Sequence, residues 1–232
     1  MLLDLLRTIR FPDPRTADGY GLVALGGSYQ PAMLLAAYAQ GIFPWPSEDM
    51  PYAWFSPDPR MILPLEEFHI SRSLRRELRR SSLRVTWDQA FDRVIAACAA
   101  APRPGQEGTW ISEELREGFE ELHRHGFAHS VETWQDEELV GGVYGLSLGR
   151  MFCGESMFFH RPNASKVALA HLVEGLRHWD FHFLDCQVHT PHMEHFGARE
   201  WTRDRFLRTL AKAIEAPTRR GPWPSQGPRP SQ

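Results

Sequence analysis

The residues best placed to do chemistry are polar ones set inside apolar, strand-like runs. Residues 151–159 read MFCGESMFF and residues 183–187 read FLDCQ, so Glu155 and Ser156 sit among aromatics in the first, and Asp185 and Gln187 in the second. Burying such groups is costly unless they are paired or used. The period of two along a strand places Asp185 and Gln187 on one face and Cys186 on the other, so both polar side chains are expected to point into one cleft near a strand end. An Asp there can orient a neighbour or stabilise positive charge. A Gln can accept a hydrogen bond from an amine through its carbonyl oxygen and donate through its amide. The pair therefore suits positioning of a nucleophile better than strong acid–base work; the alternative is a satisfied polar pair that fixes the strand end. Glu155 is expected to share a face with Cys153, Met157 and Phe159, where a carboxylate can receive a cation, pair with a buried Arg, or have its pKa raised. Phe152, Met157 and Leu184 read either as core or as the wall of an apolar pocket.

Other chemistries fit less well. His189, His192 and His195 recur every three residues, but that spacing rotates the side chains progressively around a helix and Pro191 interrupts it. There is no HExxH and no cysteine set, so no metal site is expected. Cys153 and Cys186 lie near the polar residues, yet the sequence fixes no partner that would lower a thiol pKa. No G-x-S-x-G or P-loop is present, and GLVALGG lacks the dinucleotide-binding glycine spacing. The run SRSLRRELRR is a different kind of feature. Arginines at that density can grip phosphate oxygens without reading bases, although a solvated charged face explains them equally well. Trp45, Trp54 or Trp110 could stack on an exposed terminal base.

The elements that must position these residues follow from periodicity and caps. Pro31–Gln40 opens with Pro and stops before Gly41, a helix. Residues 41–60 carry too many prolines to stay regular. Helices are expected over Ser71–Arg80 and Asp88–Ala101, and after Ser112, after Asn163 to about His178, from about residue 192, and after Thr202. The N-terminal MLLDLLRTIRFPDP reads as a short amphipathic helix rather than a signal peptide. Strands are expected over Val85–Trp87, Phe127–Gln135, Leu139–Leu148, Met151–Phe159 and Phe181–Gln187, with turns at Asp136–Glu137 and Gly149–Arg150. Three hairpin-linked strands, a crossover helix and a further strand make a mixed α+β sheet whose last strand lies parallel to a neighbour. Pro102–Gly108 is expected to be loop, and a domain boundary is expected in the loops around residues 60–70 or 100–110. The Pro-, Gly- and Ser-rich residues 217–232 are expected to form a flexible tail.

Composition narrows the class. The 232 residues are 42% hydrophobic and 24% charged, as in an ordinary globular protein, and no apolar run approaches the length of a membrane helix. Three cysteines without a CxxC favour a reducing, cytoplasmic setting. The net charge of −3 argues against nonspecific coating of nucleic acid. The charge is uneven, however: residues 60–84 hold seven arginines (Arg60, Arg72, Arg75, Arg76, Arg79, Arg80, Arg84) against three glutamates. One local basic face on an otherwise acidic protein could hold a polyanion in one place.

GIFPWP, WFSPDPR, HISRSLRR, TWI, GGVYGLSLGRMFCGESMFFHRPNASK and FLDCQVHTPHMEHFGAR, in that order, resemble the leucyl/phenylalanyl-tRNA–protein transferases over about residues 18–210. The resemblance implies an enzyme that moves Leu or Phe, and less well Met, from aminoacyl-tRNA to the α-amine of proteins beginning with Arg or Lys, marking them for N-degron proteolysis. It implies a small N-terminal α/β domain (1–62) and a GNAT-like catalytic domain with a mixed sheet (63–216), ahead of the 217–232 tail, and no need for metal, ATP or other cofactor; a monomer is expected. The family's Asp-x-Gln falls on Asp185 and Gln187, and its Glu on Glu155. On this reading Gln187 accepts a hydrogen bond from the attacking amine, Asp185 orients Gln187 and helps the proton leave, and Glu155 helps hold the acceptor. Val143, Phe152, Met157, Leu172 and Leu184 are expected to form the aminoacyl side-chain pocket, and Trp45 or Trp110 to meet the terminal adenosine. Arg72, Arg75, Arg76, Arg79, Arg80 and Arg84 are expected to hold the tRNA backbone. Two rivals remain: an acyl-CoA-dependent N-acyltransferase, whose pyrophosphate loop HRPNASK lacks, and a non-enzymatic RNA-binding module, which leaves Asp185 and Gln187 unexplained.

Overall fold

The computed structural model of the protein describes residues 8–47, 49–50, 52–80, 82–101, 109–228 and 230. Of the short helix expected over MLLDLLRTIRFPDP, residues 1–7 lie outside the described residues and residues 8–13 are not helical, Pro12 and Pro14 favouring an extended path; the expected loop at 102–108 also lies outside the described residues. Along the chain run β1 (Leu22–Leu25), α1 (Pro31–Ala39), β2 (Phe43–Pro44), β3 (Ala53–Phe55), β4 (Arg60–Pro64), α2 (Arg72–Arg80), β5 (Arg84–Trp87), α3 (Phe91–Ala100), α4 (Glu113–Arg124), β6 (Ala128–Gln135), β7 (Glu138–Leu148), β8 (Met151–Phe159), α5 (Ala164–His178), β9 (Phe183–Gln187), α6 (Pro191–His195), β10 (Arg199–Trp201) and α7 (Arg203–Ala213). Local chemistry explains many of the boundaries. Ser112 Oγ accepts the Leu115 N–H at the start of α4, and Thr202 Oγ1 accepts the Arg205 N–H at the start of α7. Pro31 opens α1, and Gly41, at φ 78°, follows its end.

A seven-stranded sheet has the order β10-β4-β9-β8-β7-β6-β5, and a three-stranded sheet the order β1-β3-β2. All neighbours are antiparallel except β8 and β9, which are joined through α5 and run parallel, as the strand–helix–strand pattern predicts. Helices cover both faces of the large sheet. On one, Leu34, Val94, Phe119 and Phe206 from α1, α3, α4 and α7 pack with Tyr144, Leu146 and Cys153. On the other, Leu74 of α2, Leu169 and Val173 of α5 and Met193 of α6 pack with Val131, Val143, Phe152 and Leu184.

Four features depart from the expectations. First, β4 is an inner strand between β10 and β9, although Pro57, Pro59 and Pro64 around it suggested a loop. Trp54 and Phe43 of the three-stranded sheet share one apolar cluster with Ile62, Tyr144 and Phe206. Second, β8 bulges. Tyr144 faces Ser156 and Gly145 faces Gly154, so Glu155 is the extra residue and the alternation reverses there. Glu155 therefore keeps the face of Cys153 but not that of Met157. Third, β9 bulges against β4. Met61 faces Gln187 and Ile62 faces Asp185, leaving Cys186 as the extra residue. Strict parity for Asp185 and Gln187 fails at that point. Fourth, the Pro-rich C-terminal segment is docked. Trp223 is 3% exposed, its ring stacks on His129 with centroids 3.9 Å apart, and its backbone N–H donates to Asp88 Oδ2 at 2.7 Å. A single large aromatic seated among Trp87, Trp179 and Phe152 outweighs a composition that otherwise favours disorder.

Candidate functional site

The parallel ladder of β8 and β9 pairs Met151 with Phe183, Phe152 with Leu184 and Cys153 with Asp185, and then stops. β8 continues to Phe159 and β9 to Gln187, so the strands part beyond the last pair. A cavity of about 540 Å³ opens where they separate. Gly154, Glu155, Ser156 and Met157 line it from β8, and Leu184, Cys186, Gln187 and Val188 from β9. Val143, Leu169, Met193 and His192 complete one side, and Phe43, Trp45 and Trp110 the other.

Three polar side chains knit the two strands together at the parting. Gln187 Nε2 donates to Glu155 Oε1 at 2.8 Å and to Cys153 Sγ at 3.4 Å. With both amide protons so engaged, Gln187 Oε1 accepts no hydrogen bond among the described residues, and the residue lies on the cavity wall. Gln187 has φ 64°, an uncommon conformation for a residue with a side chain, and Asp185 Oδ1 accepts its backbone N–H at 2.9 Å. Asp185 itself faces away from the cavity. Its oxygens receive Arg60 Nε at 2.9 Å and Nη2 at 2.7 Å, and both side chains are 1% exposed. The guanidinium of Arg60 also donates to the Gly41 carbonyl and lies between the rings of Phe43 and Phe206, with centroids 4.6 and 4.5 Å away. The expected shared cleft for Asp185 and Gln187 is thus corrected: the bulge at Cys186 turns Gln187 to the cavity and leaves Asp185 in a buried ion pair beneath it.

Burial pushes the Glu155 carboxyl up to about 7, with the neighbouring Tyr38 hydroxyl and Cys153 thiol restraining the rise. Glu155 Oε2 is buried and has no hydrogen-bond partner among the described residues. Burial pushes the Cys153 thiol well above its ordinary range, with Asp185 and Glu155 adding to the shift, so Cys153 supplies no thiolate. His192, on the cavity rim, is shifted down by burial and by the nearby Lys166 and His195. His189 pairs with the exposed Glu194, and among the described residues no group of three His, Cys, Asp or Glu side chains could hold a metal ion.

Of the side chains expected to wall the pocket, Val143, Met157 and Leu184 line the cavity, whereas Phe152 and Leu172 are buried behind it in the core. Both expected tryptophans, Trp45 and Trp110, line it, and Trp45 is 42% exposed. Trp54 is fully buried and donates to the Gly26 carbonyl. Arg72, Arg75, Arg76, Arg79 and Arg80 are exposed on α2 and make no ion pair among the described residues. Arg84 differs: it stacks over Trp134 and lies 3.9 Å from Glu137 on the far edge strand β5. Sequence reasoning missed Gly154, Leu169, His192, Met193 and the role of Arg60. Arg60 alone among the seven clustered arginines precedes an apolar Met-Ile-Leu run, which was a signal for burial.

Comparison with known proteins agrees with the resemblance. The family model described as leucyl/phenylalanyl-tRNA protein transferase matches residues 62–211, and that of the family's N-terminal domain matches residues 27–58. A leucyl/phenylalanyl-tRNA–protein transferase from Myxococcus xanthus is 54% identical over 213 residues, covering 92% of this chain and 91% of the relative. Proteins of the same name from an Anaeromyxobacter species (94% of this chain, 93% of the relative) and Desulfatibacillum aliphaticivorans (94% of each) are both 53% identical over 219 residues. A solved C-terminal domain of a putative lysylphosphatidylglycerol synthetase from Agrobacterium fabrum covers 80% of this chain and 57% of its own, at 12% identity and a TM-score of 0.40, a likeness too loose to bear on fold or activity. The chain belongs to the leucyl/phenylalanyl-tRNA–protein transferase family.

Proposed function

We propose that the cavity between the parted strands holds the aminoacylated terminal adenosine of a tRNA, and that the enzyme transfers Leu or Phe, and less well Met, to the α-amine of proteins that begin with Arg or Lys. The observation that carries this reading is one continuous cavity with an apolar end at Val143, Met157 and Leu184, an aromatic wall at Trp45 and Trp110, and Gln187 Oε1 on the surface beside Glu155. Aromatic faces suit an unpaired base. The exposed arginines of α2, which make no ion pair among the described residues, suit a phosphate backbone, with little regard for its sequence. The GNAT-like assignment draws support from the parallel pair that separates to admit a ligand. Division into a 1–62 and a 63–216 domain, action as a cytoplasmic monomer, and a role in N-degron proteolysis are further parts of the proposal.

The chemistry asks for positioning more than for a strong base. An aminoacyl ester is already activated, and an α-amine, with a pKa of about 7.7–8, is partly neutral near pH 7. Gln187 Oε1 accepts a hydrogen bond from the amine and aims its lone pair at the ester carbonyl. The new C–N bond forms as the ester C–O bond breaks, and the amine proton ends on the departing ribose 3′ oxygen. Glu155 positions the Gln187 amide through Oε1. Asp185 positions its backbone, and its own carboxylate, fully engaged with Arg60, takes no proton. The test is transfer itself: labelled Leu-tRNA with peptides differing only in the first residue. Label on peptides beginning with Arg or Lys, and not on one beginning with Glu, supports the reading; no label on any peptide rejects it.

A further inference from the structure

A glycine inside a strand gives up side-chain packing and backbone entropy, so each one needs a reason. For three glycines of β7 the reason is crowding. A Cβ on Gly141 would lie 2.6 Å from Ala164 Cβ, one on Gly142 would lie 3.1 Å from Val94 Cγ2, and one on Gly145 would lie 2.1 Å from the Cys153 carbonyl oxygen. Gly154 in β8 is not crowded. The nearest atoms to its Cβ position are Leu184 Cδ2 at 3.4 Å, the Asp185 carbonyl oxygen at 3.8 Å and Leu184 Cγ at 3.9 Å, all ordinary contacts. Its φ also lies outside the left-handed region. Neither packing nor backbone geometry asks for glycine there.

What lies in front of Gly154 is the cavity, at its apolar end beside Leu184 and close to Glu155 and Gln187. We propose that Gly154 sets the size limit for the transferred side chain, leaving open the volume that a Cβ would fill so that the larger of the donor side chains can seat there. This rests on the transferase reading of the cavity. The surroundings decide which part of the donor is involved: Val143, Met157 and Leu169 offer an aliphatic or aromatic side chain apolar contact but give the adenine or the amine no hydrogen-bonding group. Replacing Gly154 by Ala adds one methyl group beside Leu184. A single methylene misfit in a hydrophobic pocket changes discrimination by about 10–200-fold. The aromatic ring of Phe needs more room than the isobutyl group of Leu, so Phe suffers more.

The experiment compares wild-type and Gly154→Ala proteins for kcat/KM with Leu-tRNA and with Phe-tRNA, using one Arg-initiated peptide, alongside thermal melts. The expected result is a folded variant whose Leu-to-Phe preference rises at least tenfold. Equal losses for both donors, or no change for either, in a folded variant would overturn the inference while leaving the transferase reading intact. A variant that fails to fold would also overturn it, because the room beside Leu184 would then be absent. Wild-type protein that transfers neither donor would reject the transferase reading, and the role of Gly154 with it.

Discussion

Breaking the Arg60–Asp185 pair distinguishes a carboxylate that shapes the site from one that takes part in the reaction. Both side chains are 1% exposed, two hydrogen bonds of 2.9 and 2.7 Å join them, and Asp185 Oδ1 also holds the Gln187 N–H. Removing one partner of such a pair leaves an uncompensated buried charge and costs about 3–5 kcal/mol. In a chain of this size each kcal/mol shifts Tm by about 2–4 °C, so Asp185→Asn or Arg60→Met alone is expected to lower Tm by roughly 6–20 °C. The double variant buries no unpaired charge and is expected to melt well above either single variant. Transfer activity is read at a temperature where all four proteins are folded. The double variant should stay slow, because the neutral amide at position 185, no longer clamped by Arg60, is a weaker and looser acceptor for the N–H of Gln187, whose backbone sits at φ 64°. Asp185→Asn melting within 2 °C of wild type yet losing turnover would refute the structural role and return Asp185 to the chemistry. A double variant as active as wild type would refute the anchoring of Gln187.

Three shorter predictions concern other parts of the molecule. Burial holds the Glu155 carboxyl up to about 7 against an ordinary 4.5, so the folded chain binds the extra proton between those values. The associated stability is complete below pH 4.5, is lost as pH rises through 7, and amounts to about 3 kcal/mol. Glu155→Gln should flatten that decline in urea unfolding between pH 4.5 and 7.5, and parallel wild-type and variant curves would contradict it. Replacing Arg76 and Arg80 by Ala should weaken tRNA binding and lessen the slope of log Kd against log salt by up to about 2, with little effect on single-turnover transfer at saturation; an unchanged slope would remove α2 from the tRNA path. Trp223→Ala should lower stability by about 3–5 kcal/mol, and a melt within 1 °C of wild type would mean the C-terminal segment is not held by its tryptophan.

How far the sequence reached can be judged residue by residue. The hairpins β6–β7–β8, the crossover helix α5 and the parallel β9 were visible because their patterns are local: period two, turn residues at Asp136 and Gly149, then an apolar helical stripe. The site residues Glu155 and Gln187 stood out as polar groups in apolar strands. Their orientation did not, because one extra residue at Glu155 and another at Cys186 reverse the alternation, and a bulge depends on the register of the neighbouring strand. Arg60 and Asp185 are 125 residues apart, a pairing no local pattern carries. Phe152 and Leu172 read as pocket wall because an apolar residue looks the same in a core as in a cavity. Gly154 does not stand out in the sequence because a missing side chain leaves no mark in composition. The docking of Trp223 was hidden by the prolines, glycines and serines around it.

The most direct measurement is a crystal structure with a non-hydrolysable 3′-leucylamido-adenosine. The leucyl side chain is predicted to lie against Val143, Gly154, Met157 and Leu184, with adenine against Trp45 or Trp110 and the amide carbonyl carbon facing the position where Gln187 Oε1 would hold an incoming amine. Adenosine bound outside this cavity, or a leucyl group turned away from Gln187, would contradict the proposed mechanism.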